Sequence, residues 1–345
     1  MTFEIIGTGR AVPPRRVTND ELAKQMDTSD EWIRSHTGIG ARHIATDDIA
    51  ASDLAVQAAR EALAMAAGVD ASSGEALAQA ALSVDMIVLA TATPDFIAVP
   101  STACIVQEKL GAKHAGAFDI AAGCTGFIYG LETAAGLLAV SDTRKRALVI
   151  GAEILTRFAD WSDRASCVLF GDGAGAVVLE KTDAPREGDG RRGILSTILR
   201  ADGSGAEHLV CRRGGGRNPL KTGETVEKPP YIEMNGQAVY NFAVKAITET
   251  VAEIVSQAGI TLNDVARIVP HQANARIIQA AAKRLKVPDD KFFLNIEEYA
   301  NTSAASIPIA LDELNRNGKL AKGDIIITMG FGGGLTYGAN LIVWS

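Results

Sequence analysis

No two of the four cysteines, Cys104, Cys124, Cys167 and Cys211, are spaced as a C-x-x-C pair. Zinc sites and disulfide frameworks draw on such pairs, so no metal site is expected, and each thiol is either a reactive group or a small buried residue. A basic excess is missing as well. The net charge is -7, whereas nucleic-acid-binding domains carry surplus Lys and Arg to displace counterions, so no nucleic-acid partner is expected and any basic docking surface must be local. No apolar run reaches the roughly 20 residues that a membrane-spanning helix needs, so no membrane partner is expected. The opening MTFEIIGTGRAVPPRR puts its short apolar run ahead of its basic residues and lacks the long apolar core of a signal peptide. A cytoplasmic location is the expectation that follows. Long like-charge blocks are absent too, which sets the chain apart from disordered segments.

What is present is apolar material in quantity. Hydrophobic residues make up 47% of the 345 positions, enough for about two units that each bury a core. Short Val- and Ile-rich runs alternate with Ala-rich stretches, the rhythm of a layered α/β protein. Strands are expected at 86–90, 117–121, 147–151, 176–179, 267–269, 324–329 and 340–344, and helices at 52–67, 101–110, 126–140, 238–258 and 273–285. FGDGAGAVVLEK at 170–181 echoes GFGGGLTYGANLIVW at 330–344, each a glycine turn feeding an apolar strand. Glycine turns before strands are common, so the echo leaves duplication of the fold open. The polar, glycine-rich segment 184–227 reads as linker and surface loops, with RRGGGRNP as exposed turns.

Three segments carry candidate chemistry. In AFDIAAGCTGFIYGLETAAGLL a strand ends in Ala-Gly-Cys124-Thr-Gly and a helix begins at once. Unpaired amides and the helix dipole at such a terminus favour thiolate, so a lowered Cys124 pKa is expected, and the small neighbours Ala122, Gly123 and Gly126 let a carbonyl approach the sulfur. A small core residue filling a tight turn fits the local sequence equally well. In RIVPHQANAR a short strand meets Pro270 and His271 before a helix carrying Asn274 and Arg276. α/β folds gather active sites at such strand ends, where an imidazole donates a hydrogen bond to a developing enolate or moves a proton; a histidine that merely fills the turn is the other reading. In YANTSAASIP, Asn301 precedes an Ala/Leu helix, either as a cap or as an amide donor to a substrate carbonyl. The glycine runs GDGAGA and GFGGGLTYG lead into strands rather than helices, which rules out phosphate loops and dinucleotide fingerprints. Tight turns account for them, and an amide within 332–334 is also a candidate oxyanion-hole donor.

Taken in order, these segments resemble the β-ketoacyl-acyl-carrier-protein synthase III family over essentially the whole chain. The resemblance rests on IIGTGRAVPPRRVTND, TSDEWI, TGI, PSTACIVQEKLG, DIAAGCTGF, FGDGAGA, VPHQANARII, NTSAASIP and GFGGGLTYG. It implies a thiolase-like five-layered α/β/α/β/α fold of two duplicated halves, here 1–183 and 184–345, in a homodimer. It further implies a ping-pong condensation with no cofactor, coenzyme A thioester being a substrate. Cys124 would take an acyl group from acyl-CoA, with the amides of Cys124 and Gly333 as oxyanion hole. His271 and Asn301 would then hold the thioester oxygen of malonyl-acyl-carrier protein while carbon dioxide leaves.

Other roles carry over by the same resemblance. Trp32 and Arg164 match positions that sandwich the adenine of CoA, and His36 and Asn274 fall at the CoA site, His36 where known members have arginine. Arg276 and Lys283, with Arg284 and Lys286, are candidates for docking acyl-carrier protein, while Val99 and Leu335 fall at the primer pocket. The alternative function is a thiolase-fold acyltransferase or thioesterase with a different acyl acceptor, and Asn301 in its NTSAAS context argues against it. A thiolase proper would need a second catalytic cysteine late in the chain, and none follows Cys211.

Overall fold

The computed structural model of the chain describes residues 1–182, 192–221, 223 and 230–345. Two sheets dominate it. The first has five strands in the order Thr2–Ala11, Asp172–Thr182, Arg146–Ile154, Met86–Ala90 and Gly116–Ile120. The last three run parallel, and the first two join antiparallel. The second sheet has the order Val265–Pro270, Ile325–Gly332, Thr336–Val343 and Gly193–Ala201, one parallel pairing followed by two antiparallel ones. The fifth strand of the second sheet has shrunk to a parallel bridge between Ile268 and Phe292. With that bridge counted, the two sheets have the same pairing pattern.

Both faces of each sheet are buried, and the strands are therefore apolar at nearly every position rather than alternating with polar residues. Side-chain parity still decides which layer each residue joins. In Arg146–Ile154, Leu148, Ile150 and Ala152 pack outward with the helices Ala51–Ala67 and Thr102–Leu110, while Ala147 and Val149 face the middle of the molecule. In the second sheet Ile327, Met329 and Leu341 pack against Gly236–Gln257 and Ala275–Leu285, while Ile326 and Ile342 face inward. The middle layer consists of the helices Gly126–Ala139 and Ser306–Arg316, packed between the sheets through Phe127, Leu131, Ile307 and Leu311. A helix covered on two sides must be apolar around most of its surface, and GFIYGLETAAGLLA has a single charge, at exposed Glu132. The result is the five-layered α/β/α/β/α thiolase-like fold.

Every expected strand and helix has a counterpart, with ends shifted by a few residues. The segment 184–227 is corrected in part. The expected boundary at 183/184 lies outside the described residues, but Gly193–Ala201 is a strand of the second sheet and Leu209–Cys211 pairs with Ile232–Met234. GILSTILRA mixes polar residues into both faces, so its strand character depends on pairing with Thr336–Val343. RRGGGRNP does form largely exposed turns.

Each central helix is entered through a three-residue 3-10 turn, Gly123–Thr125 or Ser303–Ala305, and the two turns touch each other. Gly151 gives the second turn its room: a Cβ there would lie 2.2 Å from the Ala304 carbonyl oxygen and 2.9 Å from the Ala305 nitrogen. Gly151→Ala should therefore destabilise the fold by about 1–3 kcal/mol through overpacking, lowering the urea midpoint at unchanged m-value. A midpoint equal to wild type would show that the turn gives way freely.

Candidate active site

The parallel strand Gly116–Ile120 leads to Cys124, and the parallel strand Val265–Pro270 leads to His271. Their carboxyl ends, together with Gly332, Gly333, Asn301 and Ser303, enclose a cleft of 420 Å³. Cys124, His271, Asn301, Ser303 and Gly333 line its floor, and Leu155, Phe158, Val168, Leu209 and Met234 make the walls largely apolar. Trp32, His36 and Asn274 also line it.

The two turns that meet here have the same unusual backbone. Gly123 has φ 51° and Ser303 has φ 48°, so each turn opens on a left-handed residue, costly for serine and free for glycine. Around Cys124 the backbone comes close on several sides. A Cβ on Gly332 would stand 2.9 Å from the Cys124 sulfur, and the Gly333 carbonyl is tied by the Thr336 hydroxyl at 3.0 Å. The same hydroxyl donates within 3.0 Å of the Ala122 carbonyl, linking the cysteine turn to the second half.

The expected lowering of the Cys124 pKa is not found. Burial pushes the thiol up to about 11 and the nearby Glu153 charge adds to the rise, while the Ser303 side chain and the Gly333 and Cys124 amides offset only part of it. A short 3-10 turn ahead of the helix does not outweigh loss of solvent around a thiolate.

His271 is buried, its amide donating to the Met329 carbonyl at 2.7 Å and its ring meeting Phe331 edge-on at 5.2 Å. Burial depresses its pKa to about 3, so the imidazole is neutral near pH 7. Its Nδ1 lies 2.7 Å from the Ser306 hydroxyl, which also lies 2.9 Å from the Ser303 carbonyl and accepts from the Gln272 amide at 3.3 Å. One hydroxyl proton serves two acceptors. Given to Ser303, it makes Nδ1 the donor and leaves a lone pair on Nε2; given to Nδ1, it puts the ring proton on Nε2.

Asn301 is held by strand-like hydrogen bonds, its amide donating to Leu169 at 2.9 Å and its carbonyl accepting from Gly171 at 3.0 Å. The FGDGAGA motif thus begins by fixing Asn301. The Asn301 Oδ1 accepts from the Ser303 amide at 2.9 Å, so the side chain does cap a turn. Its Nδ2 makes no hydrogen bond among the described residues and is free to serve a ligand in the cleft.

Sequence models described as 3-Oxoacyl-[acyl-carrier-protein (ACP)] synthase III match residues 118–203, and the C-terminal model of the same family matches 255–344. The β-ketoacyl-[acyl-carrier-protein] synthase III of Caldanaerobacter subterraneus is 48% identical over 99% of this chain and 97% of its own length. The protein of that name from Clostridium perfringens is 48% identical over 98% of each. Among solved structures, 3-oxoacyl-[acyl-carrier-protein] synthase III from Aquifex aeolicus superposes with TM-score 0.85 at 43% identity, covering 99% of this chain and 100% of that one. The chain belongs to the β-ketoacyl-[acyl-carrier-protein] synthase III family. It is a condensing acyltransferase of fatty acid biosynthesis.

In this synthase III chain the outer candidate residues are placed unevenly. Arg164 lies over the Trp32 ring at 5.0 Å, and His36 stacks on the same indole at 4.6 Å. Asn274 caps the helix Ala275–Leu285 and donates to the His36 carbonyl at 3.1 Å. Arg276, Lys283, Arg284 and Lys286 are exposed. Val99 and Leu335 do not line the cleft: Val99 is 82% exposed, and Leu335 is buried against Gly205. Among the described residues no group of His, Cys, Asp and Glu could hold a metal, and no helix is long and apolar enough to cross a membrane.

The sequence reading missed Ser303, Ser306 and Glu153. Glu153 is fully buried below the cleft floor and accepts from the Ala92 amide at 3.0 Å, from Thr93 at 2.7 Å and from Thr91 at 3.3 Å. Burial pushes its carboxyl up to about 7. The available signal was one charge inside the apolar run ALVIGAEIL.

The His271 shift has a measurable sign. Between its ordinary 6.5 and about 3, the unfolded chain binds a proton that the folded chain refuses, so stability is lost as pH falls through that window. Glu153, raised from 4.5 to about 7, contributes the opposite slope and cancels when variants are compared. His271→Gln should therefore flatten the acid side of the stability curve by up to about 1.4 kcal/mol per pH unit between pH 4 and 6. Parallel curves in urea titrations would refute the buried neutral imidazole.

Proposed function

We propose that this chain condenses an acyl-CoA primer with malonyl-acyl-carrier protein, with loss of carbon dioxide, to give a β-ketoacyl-acyl-carrier protein through an acyl-Cys124 intermediate. The observation that carries the proposal is the meeting of Cys124, a neutral His271 and a free Asn301 amide in one cleft with apolar walls. In loading, the Cys124 sulfur attacks the thioester carbonyl. The amides of Cys124 and Gly333, residues that line the cleft together, receive the oxyanion, and CoA leaves. In condensation, His271 with its proton on Nε2 and the Asn301 Nδ2 group hold the malonyl thioester oxygen. Carbon dioxide departs, the charge collects on that oxygen, and the enolate carbon attacks the acyl-cysteine. A neutral imidazole suits this role, because it donates a hydrogen bond without first giving up a proton.

The entrance supports CoA as the loading substrate, with Trp32, Arg164, His36 and Asn274 as its contacts. Two stacking contacts of about 3.5 Å span about 7 Å, so the Arg164 guanidinium must swing away from Trp32 to admit the adenine. His36 Nδ1 is engaged by the Trp32 carbonyl at 2.8 Å. Only Nε2 remains for a phosphate, and it donates there only when the ring is an imidazolium, a weaker contact than arginine provides. Arg276 and Lys283 lie seven residues apart on one exposed face and offer an acidic carrier protein a basic docking strip.

A cytoplasmic homodimer completes the proposal, each half of the chain, 1–183 and 184–345, contributing one set of layers. The open edge Gly116–Ile120 and the exposed apolar residues Phe96, Ile97 and Val99 favour a partner surface. Val99 would meet the primer across that surface, and Leu335 would support the acyl group from behind the 333–335 turn.

Wild type should acquire an acyl mass on Cys124 from a panel of acyl-CoAs and release β-ketoacyl product with malonyl-acyl-carrier protein. Cys124→Ala should acquire none, and Asn301→Ala should load yet condense about 100–1,000-fold more slowly. Loading of wild type without condensed product would favour the transferase or thioesterase alternative. Separately, Arg276→Glu should weaken condensation at low carrier-protein concentration while sparing acyl-CoA loading; an equal fall in both half-reactions would remove Arg276 from docking.

A further inference from the structure

Two amides form one oxyanion hole only when both point at the same oxygen, and a misplacement of about 1 Å is enough to spoil it. The Cys124 and Gly333 amides come from segments far apart in the chain, and neither donates to a backbone carbonyl among the described residues. The segments press together at both nitrogens. A Cβ on Gly332 would stand 3.2 Å from the Cys124 nitrogen, and a Cβ on Gly123 would stand 3.4 Å from the Gly333 nitrogen. The chain there is glycine at 123 and again at 332, 333 and 334. Glycine lets the two backbones come this close, but it leaves their peptide planes without side chains to hold them. Another group must fix the aim of the two N–H groups.

Thr336 stands where such a group is needed. It opens the strand Thr336–Val343 and pairs with Gly332 across the turn 333–335. Its hydroxyl has one proton and three acceptors, the carbonyls of Ala122 and Gly333 and the Thr125 hydroxyl, each at 3.0 Å. Thr125 is fully buried and donates in return to the Thr336 carbonyl at 3.1 Å. Each amide is thereby bracketed. The Cys124 amide lies between the Ala122 carbonyl and Thr125, and the Gly333 amide lies between Gly332, held in the strand pairing, and its own carbonyl. No other donor reaches the Gly333 carbonyl among the described residues. The far side of the turn is anchored separately, since the Leu335 and Asp202 backbones exchange hydrogen bonds at 3.0 and 2.8 Å.

We propose that Thr336 is a positioning residue for the oxyanion hole, its hydroxyl holding the Cys124 and Gly333 amides in register so that both meet one thioester oxygen. The proposal rests on the reading that Cys124 is acylated and that these two amides receive the charge. Thr336 does not line the cleft, so it acts only through the two backbones. A thioester binds with its carbonyl oxygen nearly uncharged, and that oxygen gains its charge as the sulfur attacks. Misaligned amides therefore cost the transition state and leave ground-state binding alone. The hydroxyl matters here rather than the shape of the side chain. Valine has the same branched outline, yet it would set a methyl group against two carbonyls, and the Gly333 carbonyl would lose its donor.

Single-turnover loading is followed by quenched-flow mass spectrometry over a series of acyl-CoA concentrations, using whichever of acetyl-, isobutyryl- and hexanoyl-CoA loads wild type fastest. Thr336→Val and Thr336→Ala should show a maximal loading rate about 100-fold below wild type. Their half-saturating acyl-CoA concentration should stay within about threefold, the mark of an interaction made only in the transition state. Thr336→Ser, which keeps the hydroxyl without the methyl group, should load within about threefold of wild type. Thr197→Val is the control for general loosening. It removes another threonine hydroxyl from the same sheet, the acceptor of the Asn340 side-chain amide at 3.1 Å, and should load within about twofold of wild type. Should the valine variant not fold, the alanine and serine variants decide, since neither adds bulk. Undiminished loading without the hydroxyl, a serine variant as slow as the alanine one, a loss that lies wholly in half-saturation, or an equal loss in Thr197→Val overturns the positioning role. Absence of any Cys124 adduct on wild type overturns the nucleophile assignment and the positioning role with it; an adduct on wild type with undiminished Thr336→Ala loading overturns the positioning role alone.

Discussion

Everything at the site depends on two central helices, Gly126–Ala139 and Ser306–Arg316, being buried between two sheets. A helix covered on both sides has little freedom to slide, because its apolar side chains interlock with two strand layers at close packing. The turns that open these helices are held equally firmly, and they touch each other. Cys124 stands in one turn and Ser303 opens the other, so the contact that closes the middle layer also brings the Cys124 thiol to the hydrogen-bonding groups around Asn301 and His271. The left-handed backbones of Gly123 and Ser303 follow from that contact.

Burial at this contact has one physical cause and three chemical results. Loss of solvent penalises whichever form is charged, so it raises the Cys124 thiol, raises the Glu153 carboxyl and lowers the His271 imidazole. All three groups are thereby pushed toward neutrality in the resting site. A cleft with apolar walls whose thiol and imidazole are uncharged accepts a neutral thioester readily, and preorganised donors meet the charge that reaction develops there.

Much of the site was legible in the amino-acid sequence, for a reason that varies from residue to residue. Cys124 and His271 each lie where a strand gives way to a helix, and Asn301 lies between the short helix Ile296–Tyr299 and a central helix, junctions marked by Gly, Pro and small polar residues. The two glycine runs led into strands as expected, since neither is followed by helical periodicity. Less visible was Gly193–Ala201, whose strand character comes from a partner more than 130 residues away. Ser303 and Ser306 carry no distinguishing local signal, because a short hydroxyl side chain ahead of a helix looks the same whether it caps a turn or lines a cleft. The thiol pKa was misjudged because helix position is local information and desolvation is not.

The sequence by itself determined the layer rhythm, the three junction residues and the family. All of these depend on patterns that repeat over a few neighbouring positions or on motifs read in order. Only the tertiary structure decided that Glu153 is buried among the donors of Thr91, Ala92 and Thr93, that the imidazole is neutral, and that Val99 is 82% exposed while Trp32 lines the cleft. The physical reason is that hydrogen-bond partnership and solvent exclusion are properties of space between segments far apart in the chain. Cys124 meets Gly332 and the 303–305 turn from far along the chain, and no local pattern records that meeting.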